Sequence, residues 1–420
     1  MNKKIEVLFM HQNFPGQYRS LAPELNKISK YNVRSLSMKE EGAINGIPHD
    51  FYTIKNGTSP NIHRLAQEFE AKVMRGEAAA LKCFEFKRNG YTPDIIIAHP
   101  GWGEALFIKD VWPNVRILSF FEFYYNTTNS DIDFDNTLED ELKPEIGFDL
   151  NSKLMARNQP GLMSLLESDE IVSPTKFQAN TAPKLFRNKI KIIHDGVNTK
   201  LLNNKGDPFV ELSKAGNPKE KIRLTKKDKI LTFVNRNLEP YRGYHIFMRA
   251  LPEIVERHPD VHILIVGSDG TSYGANAPKG TTHKEIYFNK VKDSLKGANI
   301  HFVGRVAYNT LTAMFAVSSA HVYFTYPFVL SWSMLEAMSL EALIVGSNTD
   351  PVTEVIKHGK NGLIVDFHDH SQLAKTVTEV LDNPSDYDSI RKSARETIVK
   401  NYDLTSICLP QHLKLIESLI

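Results

Sequence analysis

The sequence predicts two α/β halves, each a doubly wound parallel sheet, joined by a linker. The first observation is length, because 420 residues suffice for roughly two or three domains that each bury a core. The second is that short apolar runs alternate with longer helical patterns, and most runs are continuously apolar, as in strands covered on both faces. The third is a break at residues 201–227, which are rich in Asn, Lys, Gly and Pro and show little periodicity.

The elements follow in order along the chain. In the first half, strands are predicted at Ile5–Met10, Val33–Ser37, Asp94–Ala98, Val115–Phe120, Glu170–Val172 and Lys191–Ile193. In the second half, they are predicted at Lys229–Val234, Val261–Val266, Asn299–Val303, His321–Thr325 and Leu343–Gly346. Helical patterns between them include Gln17–Lys27, Ile62–Arg88, Gly243–Arg257 and Ser371–Leu381. We therefore predict domains at 1–200 and 228–400, a linker at 201–227, and a C-terminal helix in 401–420 that is a candidate to pack back on the first domain.

Composition excludes several classes of protein. Lys and Arg total 51 against 49 for Asp and Glu, a net charge of +2, which argues against non-specific nucleic-acid binding. Two cysteines, Cys83 and Cys408, fit neither a disulfide framework nor a cysteine zinc site. The apolar start is interrupted by Glu6, and no apolar run approaches the ~18 residues of a membrane span. A cytoplasmic protein is expected, with at most peripheral contact with the inner face of a membrane.

Ligands of open α/β sheets bind beyond the carboxyl ends of the strands, so the residues that follow each strand are the candidates. In the first half, Gly16 lies in the loop after the first strand, where it either approaches an anion or makes a plain turn. His99 follows Asp94–Ala98 and either faces the cleft or belongs to a tight turn. Glu122 follows Val115–Phe120 and is either paired with a buried Arg or is a cleft carboxylate that orients a polar substrate.

Asp131, Asp133 and Asp135 have the spacing of calcium ligands. An EF-hand would place Gly and Glu where this sequence has Asn136 and Leu142. We therefore expect a solvated acidic loop and no metal site.

In the second half, Arg236 and Arg242 lie on one loop and either bind phosphate or pair with Glu239 at the surface. Gly267 and Asp269 follow one strand, and Gly304–Val306 follow the next. A helix is predicted to begin near Ser331–Ser333, and its N–H groups and dipole suit a diphosphate. The alternative for Glu336 is a capping box with Ser333.

Together these loops resemble glycosyltransferase family 4. The resemblance extends over nearly the whole chain and rests on the order of its motifs more than on any one of them. The motifs are His11–Gln17, Asp195–Asn198, Arg236 with Arg242-Gly243, Leu335–Met338, Ser347–Asp350, Glu354–Ile356 and Gly362–Val365. The blocks Glu122–Tyr125 and Tyr326–Met338 indicate a distinct branch of that family.

The resemblance implies a GT-B fold, in which two Rossmann-like domains face a central cleft. It implies retaining transfer of a sugar from a UDP- or GDP-sugar to a glycan, lipid-linked or protein acceptor, in bacterial surface polysaccharide or glycoconjugate synthesis, without a cofactor or metal. Arg236 and Arg242 would hold the diphosphate, Glu336 the ribose and Gly304–Val306 the base. The implied site consists of Arg236, Arg242 and Glu122 as catalytic residues, and of Gly16, His99, Gly267, Asp269, Gly304, Arg305, Val306, Leu330, Ser331, Trp332, Ser333 and Glu336 as donor-binding residues.

Three positions depart from the family pattern. Phe328 occupies the place of the first Glu of the Glu-x7-Glu motif, Arg242 replaces a Lys, and Glu122 stands where a His is frequent. No nucleophile with an adjacent base is evident, so a front-face mechanism is favoured over covalent catalysis. Two alternatives stay open: a GT-B sugar-nucleotide epimerase, and a non-catalytic pseudo-glycosyltransferase that serves as a partner subunit.

Overall fold

The computed structural model describes residues 3–143, 147–214 and 217–420. These residues divide into two compact units. Unit 1 comprises Met1–Thr127, Glu145–Gly196 and Leu404–Ile420, and unit 2 comprises Thr128–Pro144 and Val197–Asp403. Each unit is therefore assembled from separate stretches of the chain.

Unit 1 is built on a parallel sheet with the strand order β3-β2-β1-β4-β5-β6-β7. The strands are β1 (Ile5–Met10), β2 (Tyr31–Ser37), β3 (His49–Phe51), β4 (Ile95–Ala98), β5 (Arg116–Phe120), β6 (Glu170–Ser173) and β7 (Ile190–Ile192). The helices of this part of the chain are α1 (Leu21–Lys27), α2 (Gln67–Arg88), α3 (Ile108–Val111), α4 (Phe148–Leu166), α5 (Lys176–Thr181) and α6 (Lys184–Arg187).

Both faces of this sheet are covered. Val7 and Phe9 of β1 are buried in one core cluster, which includes residues of α1. Leu8 and Met10, the alternate residues of the same strand, are buried in a second cluster with residues of α2 and α3. Successive strand residues point to opposite faces, so the continuous apolar run at the N-terminus is explained by helices on both sides of the sheet.

Unit 2 has a second parallel sheet, with the order β12-β11-β10-β13-β14-β15. Its strands are β10 (Ile230–Asn237), β11 (His262–Ser268), β12 (Asn299–Gly304), β13 (Ala320–Tyr323), β14 (Ile344–Ser347) and β15 (Leu363–Val365). Its helices are α7 (Tyr244–Arg257), α8 (His283–Val291), α9 (Tyr308–Val317), α10 (Trp332–Ser339), α11 (Asp350–Val355), α12 (His370–Asp382) and α13 (Asp388–Tyr402).

The predicted strands are all present, with small shifts at their ends, and the doubly wound α/β class is confirmed. The segment interpreted as a linker differs from the expectation. It carries an antiparallel hairpin of β8 (Phe209–Lys214) and β9 (Asn217–Thr225). Val210 and Leu224 are cross-strand partners buried in the core of unit 2, so this hairpin is part of that unit.

The C-terminal stretch Leu404–Ile420 belongs to unit 1. Its helix α14 (Leu409–Glu417) buries Leu409, Leu415 and Ile416 in the cluster that also contains Val7 and Phe9. The last residues of the chain thus complete the core around its first strand.

Candidate functional site

In unit 1, the side chains that follow β1, β4 and β5 converge at the carboxyl edge of the sheet. His99 is 2% exposed, and its ring lies between those of Trp102 and Phe120, with centroid distances of 5.9 and 5.7 Å. Its Nε2 lies 3.5 Å from Glu122 Oε2. Gln17 donates from Nε2 to Glu122 Oε1 at 3.3 Å. The sequence-predicted residues His99 and Glu122 are therefore neighbours, and the carboxylate of Glu122 remains one-third exposed.

Gly16 lies beside this cluster. Its φ is +45°, and a Cβ built there would lie 2.6 Å from the imidazole of His11, so this position requires glycine. The His11 ring meets that of His99 edge-on at 5.2 Å. Burial, reinforced by His99, lowers the pKa of His11 to about 3, and His11 is consequently neutral at physiological pH.

A pocket of about 300 Å³ opens beside His99 and Glu122 within unit 1. Its walls carry several aromatic rings and three cationic side chains. The lining includes Lys72, Arg75, Trp102, Phe123, Tyr124, Tyr125 and Arg157. The three cations were not predicted from the sequence, because none follows a strand: Lys72 and Arg75 lie on α2, and Arg157 lies on α4.

In unit 2, Arg242 is the most deeply placed of the predicted cations, at 6% exposure. Its Nη1 donates to Thr325 Oγ1 at 2.7 Å and to the Val329 carbonyl at 3.0 Å. No carboxylate oxygen of the described residues lies within 4.0 Å of its guanidinium nitrogens. Burial disfavours its charge, but Tyr323, Tyr273 and the more distant carboxyl group of Glu239 outweigh burial and raise its pKa. Arg242 is thus a buried cation whose direct hydrogen-bond partners are neutral.

Gly243 sets the position of that arginine. It caps the turn Pro240–Arg242 with a φ of +70°, and a Cβ there would lie 2.3 Å from Phe324 Cβ. Arg236, by contrast, is exposed near the end of β10. The prediction that both arginines lie on one loop is therefore wrong, because Arg236 is within β10 and open to solvent, whereas Arg242 is buried in the turn that follows.

Glu239 does not pair with either arginine at the surface. It is 1% exposed, and its carboxylate accepts hydrogen bonds from the N–H groups of Ser272 and Tyr273, at 3.0 to 3.1 Å. Burial raises its pKa. The alternative of surface pairing is therefore wrong, and Glu239 instead fixes the glycine-rich loop after β11.

Gly267, whose φ is +157°, lies in β11 just before that loop. The exposed Asp269 follows the strand and pairs with Lys284 at 3.2 Å. The end of the neighbouring strand β12 contacts the end of β11, because Arg305 donates from Nε to Ser268 Oγ at 2.7 Å. Gly304, with φ of +64°, comes directly before Arg305. Val306 packs partly buried on the core of unit 2. The ends of β11 and β12 thus form one continuous edge.

Helix α10 begins where it was predicted, with Ser331 as its N-cap. The Ser331 hydroxyl accepts from Ser333 N at 3.3 Å, and Ser331 N donates to the Tyr323 hydroxyl at 2.8 Å. Leu330 is buried and Trp332 is half-buried. Two of the N–H groups expected to meet phosphates thus have local partners, while the serine hydroxyls lie 2.9 Å apart at the helix N-terminus.

Glu336 is not part of a capping box, because the cap is Ser331 and not Ser333. It is 6% exposed and accepts a hydrogen bond from the Tyr308 hydroxyl at 2.9 Å. Phe328 is 3% exposed, with its ring 4.7 Å from that of Tyr273 and 5.5 Å from that of Tyr241. An aromatic wall therefore stands where the family pattern has its first glutamate.

The acidic loop Asp131–Asp135 is not solvated as the sequence predicts. Asp131 and Asp135 are buried, at 1% and 8% exposure, and only Asp133 is exposed. Asp131 accepts a hydrogen bond from the Tyr241 hydroxyl at 2.6 Å, and Asp135 accepts one from the Tyr326 hydroxyl at 2.6 Å. The expectation of a solvated loop fails because tyrosine hydroxyls and His245 offer these carboxylates a polar environment inside unit 2.

The described residues contain no group of three or more His, Cys, Asp or Glu side chains placed to hold a metal ion. None of the described helices combines the length and the apolar character needed to cross a membrane.

Comparison with known proteins assigns both halves of the chain. Residues 29–202 match the family model described as "Glycosyl transferase family 4 group", and residues 216–397 match "Glycosyl transferases group 1". Spore coat protein SA of Bacillus subtilis is 27% identical over 242 residues, which are 56% of this chain and 61% of that protein. The uncharacterized glycosyltransferase MJ1069 of Methanocaldococcus jannaschii is 22% identical, over 73% of this chain and 81% of its own length. The chain covers less than two thirds of the length of the spore coat protein.

Solved structures show the fold. Sucrose-phosphate synthase from Thermosynechococcus elongatus superposes with a TM-score of 0.68 at 17% identity, over 99% of both chains. Anabaena HepE, solved with UDP and glucose, gives 0.62 at 15% identity, over 99% of this chain and 100% of its own. With a glycosyltransferase family model on each half and GT-B proteins matched over nearly the whole chain, this protein belongs to the family 4 group of glycosyltransferases and has the GT-B fold.

Proposed function

We propose that the protein transfers a sugar from a UDP- or GDP-sugar to an acceptor hydroxyl, with retention at the anomeric carbon. One observation carries the proposal: Arg242 is buried at the carboxyl edge of the unit 2 sheet, and no carboxylate oxygen of the described residues lies within 4.0 Å of its guanidinium group. A buried cation without a contacting counter-ion is costly unless an anion joins it. The diphosphate of a nucleotide sugar is an anion of suitable geometry for an arginine.

The surrounding groups support the same ligand. Exposed Arg236, near the carboxyl end of β10, supplies a second cation. The N-terminus of α10, with the hydroxyls of Ser331 and Ser333, supplies a positive dipole end. Glu336, hydrogen-bonded to Tyr308, supplies a carboxylate for ribose hydroxyls. Gly267, Asp269 and the Gly304–Val306 segment are proposed to border the base, and Leu330 and Trp332 to border the sugar diphosphate.

In the proposed step, the bond between the anomeric carbon and the leaving phosphate oxygen breaks, and a bond from the acceptor oxygen forms on the same face. The acceptor proton passes to the departing diphosphate. Arg236 and Arg242 stabilise the negative charge that develops on the leaving group. Glu122, with His99 and Gly16 in unit 1, is proposed to orient the acceptor and the transferred sugar, so that catalysis relies on positioning.

Titration calorimetry with UDP-, GDP- and ADP-sugars tests the donor site. Arg242→Ala should weaken donor binding by about 10- to 100-fold, since a hydrogen bond to a charged group contributes about 1.5–3 kcal/mol. Arg257→Ala is the matched control, because Arg257 is an exposed arginine of the same unit, paired with Asp382. Unchanged affinity in Arg242→Ala, or no binding of any nucleotide sugar, would overturn the proposal.

Two further measurements separate the alternatives. Incubation with donor alone yields an altered sugar nucleotide if the protein is an epimerase, whereas a transferase leaves the sugar configuration intact and transfers only to an acceptor. Tight donor binding without turnover on any glycan, lipid-linked or protein acceptor would favour the non-catalytic partner, in line with Phe328 at the position of a family glutamate.

We also propose that the two arginines act without a metal ion. Activity should then persist in EDTA. Loss of activity on chelation, with recovery in Mg²⁺ or Mn²⁺, would refute this part of the proposal. We further propose that the protein acts in bacterial surface polysaccharide or glycoconjugate synthesis, at or near the inner face of the membrane. The identity of the acceptor decides this role.

A further inference from the structure

The pocket of unit 1 has a charge distribution that donor binding does not explain. Helix α2 places Glu68, Lys72 and Arg75 on its wall, and α4 adds Arg157. Positions three and four residues apart lie on one face of a helix, so Lys72 and Arg75 are adjacent. Aromatic rings line the same pocket, with Trp102 and Tyr125 among them.

Only one of the three cations has a carboxylate partner. Arg157 pairs with Glu68 at 3.2 Å and stacks on Tyr125, with its Cζ 3.9 Å from the ring centroid. Lys72 donates to the Arg157 carbonyl at 2.7 Å, and Arg75 donates to the Trp102 carbonyl at 3.3 Å. Neither has a carboxylate oxygen of the described residues within 4.0 Å.

The environment makes these two charges costly as they stand. Arg75 Nε is buried without a hydrogen-bond partner among the described residues. The nearby carboxyl group of Glu104 is a weak counter-ion, because burial raises its pKa and its Oε1 already accepts from the Tyr52 hydroxyl at 2.6 Å. Burial, together with Arg157, lowers the pKa of Lys72 to about 8. An anion in the pocket would compensate both cations.

We propose that this pocket holds an acidic group of the acceptor, a phosphate ester or carboxylate, between Lys72 and Arg75. The pocket volume of about 300 Å³ is at the small end of ligand sites, which suits a monosaccharide-sized portion bearing one such group. The aromatic rings of its lining offer flat faces against which a sugar ring packs. Glu122 and His99, which line the same pocket, then meet the hydroxyl groups. This inference rests on the proposed transferase function, and it names the chemical class of its acceptor.

Binding without donor tests the inference separately from catalysis. Trp102 lines the pocket, so its fluorescence reports occupancy. The probes are glucose 6-phosphate, glucuronate, inorganic phosphate and neutral glucose. We expect saturable changes in fluorescence with the acidic probes. Glucose should bind at least about 10-fold more weakly than glucose 6-phosphate, because it makes no charge-assisted contacts. Vesicles with and without phosphatidylglycerol distinguish a lipid-borne phosphate from a soluble one.

Variants then locate the site. Lys72→Gln and Arg75→Gln should each weaken binding of the acidic probe by about 10- to 100-fold, and Lys72→Arg should restore most of it. Lys82→Gln is the matched control, since Lys82 is on the same helix and pairs with Glu85 at 2.7 Å. Circular dichroism checks that each variant folds. Equal binding of glucose and its phosphate, equal loss in Lys82→Gln, or no saturation by soluble or vesicle-borne anions would overturn the inference. Nucleotide-sugar titration of the same samples shows independently whether the proposed donor site has failed.

Discussion

Replacing Asp135 by alanine should destabilise unit 2 strongly. The carboxylate side chain is 1% exposed and lies 2.9 Å from His245 Nε2. It also accepts hydrogen bonds from the Tyr326 hydroxyl at 2.6 Å and from Thr137 N and Oγ1 at 2.8 and 2.7 Å. Alanine would leave His245, which is fully buried, and the Tyr326 hydroxyl without this acceptor.

The magnitude follows from those lost partners. Burial lowers the pKa of His245, so the substitution leaves two neutral buried polar groups unsatisfied, at about 1–3 kcal/mol each, or about 2–6 kcal/mol in total. Unit 2 holds roughly 220 residues, and its unfolding entropy near the midpoint converts this loss of stability into a fall in Tm of about 4–13 °C. Scanning calorimetry measures both quantities.

The control for Asp135→Ala is Asp133→Ala in the same loop. Asp133 is exposed and accepts hydrogen bonds from the N–H groups of Asn129 and Ser130, each at 2.8 Å, so its loss should cost about 1 kcal/mol. If Asp135→Ala is no more destabilising than Asp133→Ala, the argument for a buried carboxylate network is refuted.

The same carboxylate should make unit 2 acid-sensitive. Burial opposes its ionisation, but hydrogen bonds from His245, Tyr326 and Thr137 outweigh burial and hold the pKa of Asp135 below its usual range. A carboxyl group with a lowered pKa stabilises the fold above its unfolded pKa of about 3.9. That stabilisation is lost as the pH falls below this value, so the stability gap between the wild type and Asp135→Asn should narrow below about pH 4.

Three other substitutions or conditions give further tests. Gly243→Ala should cost about 1–3 kcal/mol of stability in backbone strain, and the overlap of the new Cβ with Phe324 adds to this cost. Gly280→Ala is the control, because φ is +87° there and no atom lies within 4 Å of the new Cβ, so it should show the backbone strain alone. Equal losses of stability in calorimetry would contradict the close approach of Gly243 to Phe324. Arg236→Ala should leave the free energy of unfolding within about 0.5 kcal/mol because the side chain is exposed, yet weaken nucleotide-sugar binding in titration calorimetry. Binding of glucose 6-phosphate should weaken as the pH rises through about 8, the pKa of Lys72 beside Glu68, Arg75 and Arg157; binding that is constant from pH 7 to 9 would contradict a role for its ammonium group.

The parallel sheets could be predicted from the sequence because strands that are covered on both faces consist of unbroken apolar runs. Ile95–Ala98 illustrates this, since its residues are divided between two core clusters. The short edge strand β3 carries no such run. The hairpin β8–β9 was missed because its strands alternate, with Val210 inward and Glu211 exposed, among residues typical of turns.

Arg242 and Glu336 could be singled out from the sequence because motifs of the family carry them, and their roles stay predictions. The candidate site was not predictable where the chemistry depends on residues that only the fold brings together. Lys72 and Arg157 come from two helices far apart in sequence and meet at one pocket. The burial of Asp131 likewise depends on Tyr241, more than a hundred residues later in the chain.

The exchange of chain segments between the units has a consequence for synthesis of the protein. Thr128–Pro144 is made before Tyr241, His245 and Tyr326, which receive its two buried carboxylates. The core around β1 likewise includes α14, which is made after Val197–Asp403 of unit 2. Unit 1 can therefore bury its whole core only after most of unit 2 has been made. A fragment cut at residue 200 should expose the apolar residues that α14 covers, and co-expression of 1–200 with 201–420 should rescue solubility better than either fragment alone.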